Sequence, residues 1–326
     1  MRQVLEFLSD WQSSDSSPPP RFAVNLNWCD FPMLTTPSIF DRYEEVRGRL
    51  PTATTATSTR EISALTDISD EVSAFVFDAF GVLNVGETLI EGADRRLDDL
   101  RSLGCHLRIL TNAASYDRKG AVEKFRRLGL SIEAEEIITS RDAALAALTP
   151  GLWGAIAAPE DTLEDIGVDL LRIGQSVEDF DAVEGFVFLS SSGWTMEKQD
   201  SLLSSLKRRS RPVIIANADL AAPRDHGFSL EPGHFGHLLM DEGIDTVRFF
   251  GKPFAEVYDL VEQSLPHVGP DRIAMCGDTL HTDIMGAAAR QWRTVLVTQD
   301  GLFSGHDTLE YCRRSGLYPD WRLARI

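Results

Sequence analysis

From Val72 onward, short apolar runs alternate with amphipathic stretches, the pattern of βαβ units that build a parallel sheet. Ala74 to Phe77 is wholly apolar and predicts a buried strand. Ala93, Leu97, Leu100 and Leu103 then recur at helical spacing, with Gly104 closing the helix and His106 to Leu110 predicting the next strand. Ala121, Phe125 and Leu128 repeat the helical face before Gly129. The alternation returns late in the chain: strand Arg248 to Phe250, helix from Pro253 to about Leu265, strand Arg272 to Cys276, helix from about Thr282, strand Thr294 to Val297. The expected fold is α/β, built on one doubly wound, parallel, Rossmann-like sheet.

The middle of the chain has strands of its own at Trp153 to Ala157, Gly185 to Leu189 and Val213 to Ala216, and a helix at Met196 to Arg208. Comparable βα units flank it on both sides, so the economical reading is an inserted α/β cap over residues 149–238. It would seat over the C-terminal edge of a core formed by 71–148 and 239–326. Residues 1–70 read as an appendage. Gln12 to Pro20, rich in Ser and Pro, and Pro51 to Thr59, almost all Thr and Ala, predict flexible tethers. Between them Ile39, Tyr43, Val46 and Leu50 predict a short amphipathic helix capped by Ser38.

Charge narrows the partners. Of the 326 residues, 32 are Lys or Arg and 50 are Asp or Glu, a net charge of −18 that repels phosphate backbones and anionic lipid surfaces. The densest basic cluster, Lys207 to Arg209, is too small to override it, so neither a nucleic acid nor a membrane is expected as partner. Acidic residues interrupt the first ten positions, no export signal is visible, and no apolar run approaches the ~20 residues that span a bilayer. Cys29, Cys105, Cys276 and Cys312 lie far apart without a Cys-x-x-Cys pair, which fits a reducing cytoplasm.

Candidate chemistry collects at strand ends. Asp78 follows the first strand in Phe77-Asp78-Ala79-Phe80-Gly81-Val82-Leu83; taken alone it serves equally as a nucleophile, a metal ligand or a turn-capping Asp. Thr111-Asn112 closes the second strand, and Gly251-Lys252-Pro253 sits between a strand and a helix. Cys276-Gly277-Asp278-Thr279-Leu280-His281-Thr282-Asp283 places two carboxylates five residues apart across a strand-to-helix turn. Carboxylates converging with Asp78 would repel unless a divalent cation neutralised them, and oxygen-only ligation suits Mg²⁺.

In order, spacing and strand-end position these four pieces resemble the haloacid dehalogenase superfamily over about residues 72–300. The long insertion, Asn217-x-Asp219 after a cap strand, and Tyr258 after Gly-Lys-Pro resemble the subgroup with large α/β caps, which includes sugar-phosphate, nucleotide and p-nitrophenyl-phosphate phosphatases. The resemblance implies a hydrolase acting on a small phosphorylated metabolite, with Asp78 as the nucleophile that forms an aspartyl phosphate. It implies Mg²⁺ held by Asp78, the main-chain carbonyl of Phe80 and Asp278, with Asp283 a direct or water-mediated ligand. Thr111 and Lys252 correspond to the groups that hold the phosphoryl oxygens, Asn112 to one that orients their loop, and Asn217 and Asp219 to cap residues facing the leaving group. A homodimer is also implied by resemblance.

One position departs from the pattern. Phosphatases of the superfamily generally carry a second Asp two residues after the nucleophile, to protonate the leaving oxygen and then activate water; here that residue is Phe80. Losing such a group typically costs ~10²–10⁴ in rate. Three readings therefore stand: a Mg²⁺-dependent phosphatase working without the usual acid, a phosphate-ligand-binding protein with little turnover, and a 2-haloacid dehalogenase-like enzyme. The dehalogenases carry Tyr where Phe80 stands, but they use no metal and lack the Asp278 and Asp283 arrangement. Of the histidines after the Asn217-x-Asp219 loop (His226, His234 and His237), His226 and His234 are candidates to supply the missing proton.

Overall fold

Ala74–Phe77 forms a strand because each of its side chains finds apolar cover on alternate faces. Phe75 and Phe77 pack with Leu97, Ile109, Phe125 and Val295; Ala74 and Val76 pack with Leu110, Ile138 and Met275. Each fully buried Phe contributes about 1.5–3 kcal/mol relative to an exposed one. In the computed structural model, which describes residues 34–174, 176–224 and 227–326, this strand lies in a sheet of seven parallel strands. Their order is Arg60–Glu61, Trp321–Leu323, Arg293–Val297, Ile273–Gly277, Ala74–Phe77, His106–Thr111, Ile137–Thr139. Phe77 is level with both Cys276 and Ile109, so Asp78, Thr111 and Asp278 emerge at one edge. The helices cover both faces of the sheet, and the fold is α/β and doubly wound.

The inserted unit has its own five-stranded parallel sheet, in the order Val247–Phe249, Val213–Ile215, Gly185–Phe188, Leu152–Ile156, Asp169–Arg172. The first of these corrects a sequence expectation. The pattern predicts a core strand at 248–250, whereas Val247–Phe249 is an edge strand of the cap, with Arg248 exposed, and the chain returns to the core only after Phe250. An apolar triplet signals a strand without saying which of two sheets it completes. One face of the cap sheet packs under the Met196–Arg208 and Pro232–Asp241 helices through Phe186, Phe188, Leu202 and Phe235. The other face, with Trp153, Val187 and Ile214, shares a continuous apolar cluster with Val76 and Val257 of the core. Buried Arg141 adds a polar tie, bonding Asp161 and Asp165 of the cap at 2.6 Å each and the Ala114 carbonyl at 2.9 Å.

Within the described residues the segment before Val72 is not an appendage. The predicted helix runs Thr36–Glu45, one turn earlier than expected: Thr35 is the cap and Ser38 returns the bond as the third helical residue. Ile39, Phe40, Tyr43 and Val46 pack against Leu220, Leu280, Ile284 and Leu296. Pro51–Thr59 is docked rather than tethering: Thr55 and Thr59 hydroxyls donate to the Gly316 and Pro319 carbonyls, and Arg60–Glu61 then adds an edge strand to the main sheet. The Gln12 to Pro20 stretch and Cys29 lie outside the described residues. The helix at 93–102 ends one residue before Leu103, which stays 56% exposed. Lys207 and Arg208 are occupied by Glu242 and Asp181. No helix among the described residues is long and apolar enough to cross a membrane.

Candidate active site

Two glycines let the nucleophile loop and the acidic turn close on one another. Gly81 has φ of +78°, and a Cβ there would lie 2.6 Å from Asp278 Oδ2; one at Gly277 would lie 2.1 Å from the Asp283 carboxyl carbon. The chain after Gly277 then makes a single π-helical turn, Leu280–Ile284, which carries Asp283 back to face Asp278. Carboxylate oxygens of Asp78, Asp278 and Asp283 consequently all lie within 4.8 Å of one another.

Lys252 is the cation that holds this cluster. Its Nζ, on a side chain only 1% exposed, lies 2.7 Å from both Asp78 Oδ1 and Asp283 Oδ1. Burial lowers the ammonium's affinity for its proton, but Asp283, Asp78 and Asp219 more than compensate, and its pKa is raised. One lysine is not enough for the carboxylates. Burial, opposed by Lys252 and aided by Asp283, pushes Asp78 up to about 6; burial together with Asp283 and Asp78 pushes Asp278 up to about 8. This surplus of convergent negative charge, with only oxygen donors, fits a hard divalent cation such as Mg²⁺. The acidic turn is itself well supported: Asp278 accepts from the Leu302 amide at 2.6 Å and the Thr279 hydroxyl at 3.0 Å, and Asp283 from the Thr279 amide at 3.0 Å.

A cavity of about 310 Å³ opens beside the cluster, bordered by Asp78, Phe80, Thr111, Asn112, Asn217, Asp219 and Asp278, with Lys252 buried behind Asp78. Thr111 Oγ1 accepts from the Ala113 amide at 3.1 Å. Asn112 is a three-way clamp: its Oδ1 accepts from the Lys252 amide at 2.7 Å, and its Nδ2 donates to the Lys252 carbonyl at 3.0 Å and to Asp219 Oδ1 at 2.8 Å. Burial first, with Asp78 adding and Lys252 opposing, holds Asp219 well above the usual carboxylate range. Asn217 borders the cavity, but its amide is committed to Glu231 and to the Asp219 amide, so it shapes the loop.

Phe80 lies in the cavity wall, with Lys124 Nζ 4.0 Å from its ring centre and the Arg224 guanidinium 5.5 Å away. Burial pushes Lys124 down to about 8. Lys124, Arg224 and Glu231 border the cavity and were not foreseen; Lys124 belongs to a helix face that reads as plain core, and no motif marks the other two. The histidine expectation fails where it is testable. Neither His234 nor His237 borders the cavity; burial pushes them to about 4 and about 3, and His237 stacks on Phe249. His226 lies outside the described residues.

The chain thus combines two parallel sheets, a carboxylate-lysine cluster at one edge of the seven-stranded sheet, and a cap inserted after the core strand Ile137–Thr139. Residues 75–151 match the family model for haloacid dehalogenase-like hydrolases and 249–320 match a second model for HAD-hydrolase-like chains. The two matches flank the cap sheet and together take in just under half of the chain, a resemblance to this superfamily carried by the core. Glycerol-3-phosphate phosphatase of Rattus norvegicus is 28% identical over 267 residues, covering 73% of this chain and 82% of that protein. Phosphoglycolate phosphatase 1A, chloroplastic, of Arabidopsis thaliana is 40% identical over 93 residues; the match takes in 28% of this chain and only 26% of the plant protein. In three dimensions the chain resembles a possible sugar phosphatase from Cytophaga hutchinsonii, with a TM-score of 0.72, 23% identity, and coverage of 82% of this chain and 98% of that one.

Proposed function

We propose that the protein is a Mg²⁺-dependent phosphatase that hydrolyses a small phosphorylated metabolite through an aspartyl phosphate on Asp78. The observation that carries this reading is the convergence of Asp78, Asp278 and Asp283 within 4.8 Å, with Lys252 2.7 Å from two of them. An Asp78 carboxylate oxygen attacks phosphorus and the bond to the leaving oxygen breaks. Lys252 and the Thr111 hydroxyl take the phosphoryl oxygens, and Asn112 keeps Lys252 and Asp219 in register with them. Mg²⁺, held by Asp78, Asp278, Asp283 and the Phe80 carbonyl, would supply a positive charge that offsets the oxygens as charge develops. Asp219 borders the space for the leaving group.

Phe80 offers no proton, so the best substrates are those whose leaving group departs unprotonated, such as aryl or acyl phosphates. That same residue favours a second reading, a phosphate-binding protein with little turnover. Hydrolysis of p-nitrophenyl phosphate with Mg²⁺, abolished by EDTA, is the expected result; binding of inorganic phosphate without turnover would select the second reading, and halide release from a 2-haloacid would select a dehalogenase. The scattered cysteines support a cytoplasmic setting. Light scattering tests the homodimer.

Asp278→Asn is expected to weaken Mg²⁺ binding at least about tenfold while the fold persists, because fewer anionic oxygens converge on the ion. Titration calorimetry reads this directly. Unchanged affinity would move the metal site elsewhere.

A further inference from the structure

The helix Thr36–Glu45 touches the core turn that carries the acidic residues and the cap loop that carries Asp219. On the core side, the Thr36 hydroxyl donates to the Leu302 carbonyl at 2.7 Å, and the amide of that same Leu302 donates to Asp278. The Tyr43 ring stacks on His281 with centres 4.9 Å apart and planes within 3°, and Glu44 bonds His281 Nε2 at 2.5 Å; His281 lies between Asp278 and Asp283 in the chain. Asp41 pairs with Arg314 at 2.5 Å.

On the cap side, the Tyr43 hydroxyl accepts the amide hydrogen of buried Leu220 at 3.1 Å, one residue past Asp219. Arg42 and Arg49 both pair with Asp241 at the end of the cap helix, Arg49 at 2.7 Å, and Arg49 also donates to the His237 carbonyl at 3.2 Å. Tyr43 is thus bonded to the cap through its hydroxyl and stacked on the core through its ring. Burial, with Asp219, Asp283 and Asp278 nearby, keeps its phenol protonated.

We propose that this helix is a clasp that fixes the cap over the catalytic edge, and that Tyr43 is a positioning residue setting the Asn217–Leu220 loop against the Asp278–Asp283 turn. Its effect on turnover rests on the phosphatase reading; its effect on the cap does not. The apolar cluster, Arg141 and the Asn112–Asp219 bond also join cap to core; the directional bond at Leu220 and the charged tie at Asp241 add a separate anchorage that restrains both the distance and the rotation of the cap. The substrate-facing loop is then organised before a ligand arrives.

Hydrogen exchange on the full chain, compared among the parent, Tyr43→Phe and Asp241→Asn, tests the clasp without any assay of turnover. Tyr43→Phe keeps the ring and removes one acceptor, so faster exchange across residues 217–224 is expected while the core strand 74–77 stays protected. Asp241→Asn should speed exchange in the 232–241 helix in the same way. Unchanged exchange in both variants would overturn the clasp. On p-nitrophenyl phosphate, Tyr43→Phe should raise KM about three- to tenfold, the range expected for one lost hydrogen bond, with kcat within about twofold. An unchanged KM in an active enzyme would overturn the positioning role. No turnover in the parent would instead count against the phosphatase reading and leave exchange to decide the clasp.

Discussion

Asp78→Asn is expected to lower phosphoryl turnover by at least about 10⁴-fold, to the limit of detection, because an amide does not attack phosphorus and removes one of the anionic oxygens facing the metal. The fold should survive. Asp78 shares Lys252 with Asp283, so the amide leaves Lys252 paired at 2.7 Å on its other side. It also removes one charge from a cluster in which burial and mutual repulsion already push Asp78 up to about 6 and Asp278 up to about 8. Without metal the variant should therefore melt at or above the parent temperature, the usual relation between a catalytic group and the strain it imposes. Mass spectrometry of the parent, quenched in acid during turnover, should find the phosphoryl group on the peptide bearing Asp78. Retained activity in Asp78→Asn would remove it as the nucleophile.

The core was legible because its signals are local. Four apolar residues between turn signals predict a buried strand, and an Asp directly after them predicts a carboxylate at its end; Asp78, Thr111 and Asp278 are placed at that edge by strand register alone. Lys252 was harder, since a lone lysine in a loop reads as surface; what buries it is the clamp from Asn112, a contact across 140 positions. The same non-locality hid the rest. Val247–Phe249 has a strand's composition but joins the sheet that Val213–Ile215 leaves open. Pro51–Thr59 has a tether's composition, yet its hydroxyls find carbonyls more than 250 positions away. Lys124 sits at helical spacing between Ala121 and Phe125 and becomes a cavity residue only because Phe80 lies across from it.

The same placement decides what a carboxyl group at position 80 would do. Phe80→Asp puts an acid two residues from Asp78 in the wall of the same cavity, where Lys124 Nζ and the Arg224 guanidinium now lie 4.0 and 5.5 Å from the ring centre. Two cations at that range favour the charged form, so the new group enters the reaction mainly as a carboxylate. As a base it can draw a proton from the water that attacks the aspartyl phosphate, a step every substrate shares. As an acid it must first be protonated, a form whose share grows as pH falls. Turnover of alkyl phosphates, whose alkoxides need that proton, should rise on the order of 10²-fold or more, and the gain should widen below neutral pH. Turnover of p-nitrophenyl phosphate should rise only as far as hydrolysis of the aspartyl phosphate limits it, with little dependence on pH. Phe80 is partly exposed, so the loss of ring packing is offset by charge pairing, and the melting temperature should stay within a few degrees of the parent. Rate profiles for an alkyl and an aryl phosphate between pH 5 and 8, with melts alongside, check each part. A folded, Mg²⁺-binding variant with no gain on any alkyl phosphate would count against a phosphatase and favour the phosphate-binding reading.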